Sequence, residues 1–317
     1  MNKIMILFIF SEMCRICSSD YEDCYILNCN SCPDLKEIPV IPGLEILFCK
    51  NCTSLTKISV IPSLKKLDCF GCTALTEIPI IPGLQTLDCI QCTGITELPV
   101  IPGLKKLNCG RTKLTKIPAI PGLEVLDCFD CQSLIEISVI PGLKNLNCGM
   151  CKNLKMVPAI PGLTHLKCTM CDFEEIPVIP GLQVLSCAWC INLTQLPIIP
   201  GLKILGCSQC MRLKKIPYIP NLEKLWCWGC TLLTEIPDIP GLKIENAARC
   251  SWIKQNDEFK ENLSALITIQ KYVKKYQKLK LCRQWVQSND FRHWYYHPES
   301  PGGIKAVLRL INKTKNE

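Results

Sequence analysis

Between Cys24 and Gly241 the apolar positions recur in one order, L-x-x-L-x-C-x-x-C-x-x-L-x-x-I-P-x-I-P-G. The order runs through eleven units, the first degenerate at its opening position. The tetrad Ile-Pro-Gly-Leu, or a near copy, begins at Ile41, Ile61, Ile81, Ile101, Ile120, Ile140, Ile160, Ile179, Ile199, Ile219 and Ile239, at steps of 20 residues with 19 at two places. The L-x-x-L-x-C stretch alternates about its centre, which predicts a short strand with its Leu and Cys turned inward. Paired prolines such as Pro79 and Pro82 forbid a helix and favour an extended, polyproline-like return. The glycine that follows them permits the turn into the next strand. One such unit cannot bury its apolar face alone, so the units must stack into a continuous core. Strands about 4.8 Å apart give eleven units a concave face roughly 50 Å long.

This pattern resembles the leucine-rich repeat, L-x-x-L-x-L-x-x-N/C-x-L, at the short end of its length range. Leu64, Leu67, Cys69, Cys72 and Leu75 carry the likeness in one unit. The I-P-x-I-P segment is similar to the short repeats of bacterial effector proteins. The cysteine-rich form joined to this tail also resembles proteins of giant DNA viruses. The resemblance implies a leucine-rich repeat solenoid, with a parallel β-sheet on the concave face and an extended convex side. It also implies a non-catalytic protein-interaction module, an adaptor for example. The alternative is a structural or particle-associated repeat protein. Three segments follow: an N-terminal cap at 1–23, the repeats at 24–241, and a degenerate repeat with a basic, helical C-terminal cap at 242–317.

The 26 cysteines complicate this picture. They form two ladders, one from Cys29 to Cys227 and one from Cys32 to Cys230, so that ten units read C-x-x-C. Such pairs are the usual half-sites of zinc and redox proteins. Against metal and disulfides stands the position of each ladder. The first occupies an inward strand position that suits a small hydrophobe. The second occupies the turn, where a side-chain donor can satisfy backbone carbonyls inside the coil. In the fifth unit that place falls on Thr112, which donates a hydrogen bond but is a poor ligand for soft metals. We therefore expect reduced, structural thiols, no bound metal and no cofactor. Thiols in this number point to a reducing, intracellular and cytoplasmic setting. A further C-x-x-C, Cys14 and Cys17, lies outside the array without a nearby histidine.

Alternation leaves three variable positions per unit on the concave face. Candidate contact residues there are Phe48, Asp68, Phe70, Asp88, Ile90, Asp127, Phe129, His165, Trp226 and Trp228. Aromatic residues dominate because they are the usual anchors of interfaces. The competing reading of Trp226 and Trp228 is burial beneath the C-terminal segment.

Charge adds one distinction. The net charge is +8, yet from Ser251 onward there are 13 Lys or Arg against 6 Asp or Glu. The repeats are therefore close to neutral and carry no general footprint for nucleic acid. The tail reads as mainly helical from Asp257 to Gln287, and its stretch Ile269–Lys280 resembles an IQ motif. Lys275 stands where that motif has glycine, and Leu279 replaces its last basic residue. Lys271, Lys274, Lys275, Lys278 and Lys280 make this a basic amphipathic helix, suited to a solvated cap, a calmodulin-like partner or an anionic surface. At the other end, the run Ile4–Phe10 is too short to span a bilayer. It reads as an apolar cap or a weak signal segment. No phosphate-binding glycine loop, H-E-x-x-H or G-x-S-x-G occurs, so no catalytic constellation is expected.

Overall fold

A computed structural model describes residues 16–17 and 24–250. Twelve parallel strands form one sheet, in the same order as the chain. They are Ile26–Asn28, Ile46–Phe48, Lys66–Asp68, Thr86–Asp88, Lys106–Asn108, Val125–Asp127, Asn145–Asn147, His165–Lys167, Val184–Ser186, Ile204–Gly206, Lys224–Trp226 and Lys243–Asn246. The central leucine of each strand pairs with that of the next, as in Leu47 with Leu67 and Leu67 with Leu87. The 19-residue units keep this register: Leu107 pairs with Leu126, and Leu166 with Leu185. The missing residue therefore falls in the lateral turn, outside the strand.

The twelfth strand comes from the degenerate unit after Gly241. It joins through an irregularity, with Ile244 opposite Leu225 and Asn246 opposite Trp226. Glu245 is the extra residue, which explains why the leucine spacing is lost there while the ladder continues. The helical C-terminal cap lies outside the described residues, as does most of the expected N-terminal cap. Ile16 is the exception and packs on the core. Among the described residues no helix is long and apolar enough to cross a membrane.

The core is one continuous column. In each unit the inward leucines, the isoleucines of I-P-x-I-P and both cysteine ladders are buried. The second ladder does what its position predicts. Cys52 Sγ donates to Cys29 O at 3.0 Å, Cys72 to Cys49 O at 2.9 Å, and Cys92 to Cys69 O at 3.0 Å. The same rung recurs from Cys131 to Cys230, and Cys250 extends it by donating to Cys227 O at 2.9 Å. Each thiol thus ties one coil to the coil before it. Thr112 behaves differently. Its shorter hydroxyl donates to Cys109 O of its own unit at 2.8 Å. Burial pushes the Cys89 thiol up well above the ordinary 9.0, whereas Cys131 is lowered to about 7, chiefly by its hydrogen bond with Cys109.

On the convex side the return is extended, and its hydrogen bonding follows the prolines. Short two-stranded pairings occur at Glu37–Ile38 with Lys57–Ile58, and at Lys116–Ile117 with Glu136–Ile137. In these two places serine replaces the first proline of the motif in the later unit. The freed amides bond the preceding coil, Ser59 N to Ile38 O at 2.9 Å and Ser138 N to Ile117 O at 3.0 Å. Elsewhere proline removes the donor.

Candidate protein-binding face

The strands place their two outer positions on the concave surface, and the residue after each first-ladder cysteine adds a third row. Cross-strand pairing brings the second row into a line: Phe48, Asp68, Asp88, Asn108, Asp127, Asn147 and Lys167 are successive partners. Much of this line is committed to the turn that follows. The Asp88 carboxylate accepts Ile90 N–H at 3.3 Å and Asn108 Nδ2 at 3.0 Å. The Asp127 carboxylate accepts Phe129 N–H at 3.0 Å and Asn147 Nδ2 at 3.0 Å. Such Asx turns fix the third-row residue relative to the strand.

Asp68 departs from expectation. It is buried, and its carboxylate pairs with Lys50 Nζ at 3.0 Å. It offers little surface to a partner and acts as an anchor for Lys50. Phe48 is half-buried, with Lys66 Nζ over its ring at 5.1 Å. Phe70, Ile90 and Phe129 are likewise half-buried in the third row.

The centre of this surface is shaped by what is missing. Gly110 and Gly149 flank Phe129 in the third row, and both approach neighbouring atoms closely. A Cβ on Gly110 would meet Phe129 O at 2.8 Å, and one on Gly149 would meet Thr169 Oγ1 at 2.8 Å and Phe129 Cδ2 at 3.3 Å. The phenyl ring therefore stands beside a hollow of about 280 Å³, lined by Ile90, Gly110, Arg111, Asp127, Phe129, Asn147 and Lys167. Its lining carries charge of both signs, from Arg111, Lys167 and Asp127. A second recess, of about 400 Å³, lies at the shortened fifth unit beside the Arg111–Asp130 ion pair of 3.3 Å.

The other candidates sit elsewhere. His165 is exposed, two coils beyond Phe129, with Nδ1 at 2.9 Å from Thr164 Oγ1. Trp226 and Trp228 lie five coils away and are half-buried. Trp228 is held between Trp189, at 6.4 Å between ring centroids, and Arg249, at 5.5 Å. Lys271, Lys274, Lys275, Lys278 and Lys280 lie outside the described residues. The sequence set thus resolves into one group around Phe129 and one around Trp228.

A fourth row escaped the sequence reading. The residue just before each second-ladder position has a left-handed backbone in every coil, with φ between 56° and 73°. Only Gly71 and Gly229 are glycines there; Arg111, Met150, Met170 and Trp189 are among the others. These side chains rim the concave face.

Parallel strands at a 20-residue pitch, inward leucines and a turn donor in every coil decide the architecture. The fold is a leucine-rich-repeat solenoid. Two solved leucine-rich-repeat structures resemble it. YopM from Yersinia enterocolitica WA-314 is 24% identical, with a TM-score of 0.48 over 72% of this chain and 60% of that one. The match thus spans less than two-thirds of YopM. A leucine-rich repeat protein from Bacteroides ovatus ATCC 8483 is 16% identical, with a TM-score of 0.36 over 72% of this chain and 88% of that one. No family model matches the sequence, and no curated protein matches it.

Proposed function

We propose that this leucine-rich-repeat solenoid is a non-catalytic module that binds a protein partner on its concave face, with Phe129 as the central anchor. The observation that carries the reading is the hollow beside Phe129. Gly110 lines that hollow beside an aromatic ring in the middle of the sheet, and Gly149 lies on the ring's other side, where a Cβ would press on it. A side chain from a partner fits that space, and the Asp127 turn fixes the backbone that carries the ring. Truncating an anchor of this kind typically costs about 2 kcal/mol of binding. Ile90 and Phe70 extend the apolar surface toward one end, and Lys167 offers a charge at the other. Buried reduced thiols suit a cytoplasmic adaptor.

The test is affinity capture from the native cell, followed by affinity measurement on the captured partner. Phe129→Ala should weaken binding about 30-fold, with unchanged circular dichroism because the ring is only half-buried. Glu77→Gln, an exposed position outside the concave face, should bind the partner with wild-type affinity. Equal affinity of wild type and Phe129→Ala for every captured partner would rule the reading out.

A further inference from the structure

We propose that the convex side is a homodimer interface, through which two copies of this chain pack back to back and antiparallel. The evidence is the middle residue of I-P-x-I-P. From Val40 to Tyr218 it is Val, Ile, Ala or Tyr in ten consecutive units, and it is exposed in all ten. The eight larger residues are 45% to 60% exposed. About half of each of these side chains is left uncovered by the solenoid. The next row toward the N-terminal side shows what a solvated position looks like in this molecule: Glu37, Lys57, Glu77, Glu97, Lys116 and Glu136, with Met156 the one apolar residue in the row. Extended structure alone does not demand apolar residues in the middle position. Threonine has similar strand propensity and fills Thr56, Thr76, Thr96 and Thr115 nearby, yet never this row. The whole six-residue tract carries no charge in the first ten units, and Asp238 ends the pattern in the eleventh.

The result is an uncharged ribbon of valine, isoleucine and proline, ten coils long. Nine steps of about 4.8 Å make it roughly 43 Å. A half-exposed Val or Ile contributes about 70 Å² of apolar surface. Eight such residues with their flanking prolines approach the roughly 800 Å² per partner of a standard interface. Scattered exposed hydrophobes need no explanation, but a continuous patch of this size marks an association site.

The occupant is a second copy because the ribbon's period is the solenoid's own. A covering surface needs an uncharged ridge of the same length and spacing, and this chain supplies one. Two-fold symmetry sets unit k of one copy against unit 11 − k of the other. The only small residues then fall opposite larger ones: Ala119 meets Val139, and Ala159 meets Val100. Val40 meets Tyr218 at each end. The two concave faces point away from each other, so the dimer is bivalent and gains avidity for any partner with two sites.

Sedimentation equilibrium of the full chain from about 1 to 100 µM tests the proposal. The wild type should be a dimer, and the Val100→Lys/Val139→Lys double variant a monomer with an unchanged far-ultraviolet spectrum. Phe129→Ala should stay dimeric, which separates this interface from the concave one. If the lysine variant does not fold, Val100→Thr/Val139→Thr should still raise the dimer dissociation constant about tenfold or more. A wild type that stays monomeric at the highest concentration overturns the proposal. So does a folded lysine or threonine variant that dimerises as tightly as wild type. Co-sedimentation of a monomeric wild type with neutral phosphatidylcholine vesicles would overturn it in favour of a lipid surface.

Discussion

A thiol that donates into the coil before it is the smallest unit of this architecture. The rung from Cys151 to Cys128 O, at 3.1 Å, is typical. Thr112 shows how specific the thiol is. The C–O bond is shorter than C–S, so the hydroxyl reaches Cys109 O of its own turn and leaves the previous coil's Cys89 O to the Cys92 amide alone. Thr112→Cys should restore the inter-coil rung and stabilise the protein by about 1 kcal/mol. Thr112→Val should cost only about 0.5–1.5 kcal/mol, because Cys109 O loses one donor but keeps the Cys131 thiol. Urea unfolding midpoints of the two variants decide it; if Thr112→Cys lies below wild type, the rung contributes nothing. That the position needs a donor was legible in the sequence, because it is Cys in ten of the eleven units and Thr, another donor, in the remaining one. Which carbonyl receives it was not, since that depends on side-chain reach. The left-handed row was also hidden. Its torsion leaves no hydropathy signature, and only Gly71 and Gly229 hint at it.

At the level of the element, the convex return is governed by one substitution. Serine in place of proline at Ser59 and Ser138 supplies the amides that close short outer ladders. Ser138→Pro removes one net hydrogen bond, worth about 1 kcal/mol, and stiffens the unfolded chain by about 0.4–1 kcal/mol. The two effects oppose, so the thermal midpoint should shift by less than about 3 °C. A larger fall would mean that the outer ladder holds the array together. The strands were legible because leucine and cysteine recur with a period of two within each unit. The twelfth strand was not, because Glu245 displaces the spacing that announces a strand.

For the whole repeat array, the thiols couple stability to pH. Cys69, Cys109, Cys128, Cys148, Cys168 and Cys187 are raised well above 9.0, by the adjoining second-ladder thiol and by burial, and Cys89 by burial first. Above the unfolded value the folded state holds protons that the unfolded state releases, so stability falls as pH rises. Cys131 runs the other way, lowered to about 7 chiefly by its hydrogen bond with Cys109, so stability should rise slightly between about pH 7 and 9 and drop steeply above about pH 9. Denaturant titrations at several pH values measure this, and a flat profile to pH 10 would refute it. The architecture could be read from the period alone. The candidate contacts could be read only as a list, because the sequence shows which residues face outward but not that Asp68 is covered or that a hollow lined by Gly110 lies beside Phe129.

The outer serine ladders carry one more consequence. Where backbone amides bond on the convex side as well as the concave side, neighbouring coils are as closely spaced outside as inside. At those two junctions the wedge between coils is therefore small, so a coil duplicated there lengthens the stack with little added bend. Duplication of a 20-codon module then works like another notch on a ruler. Each copy adds about 4.8 Å of reach to both faces and leaves the existing contacts where they were.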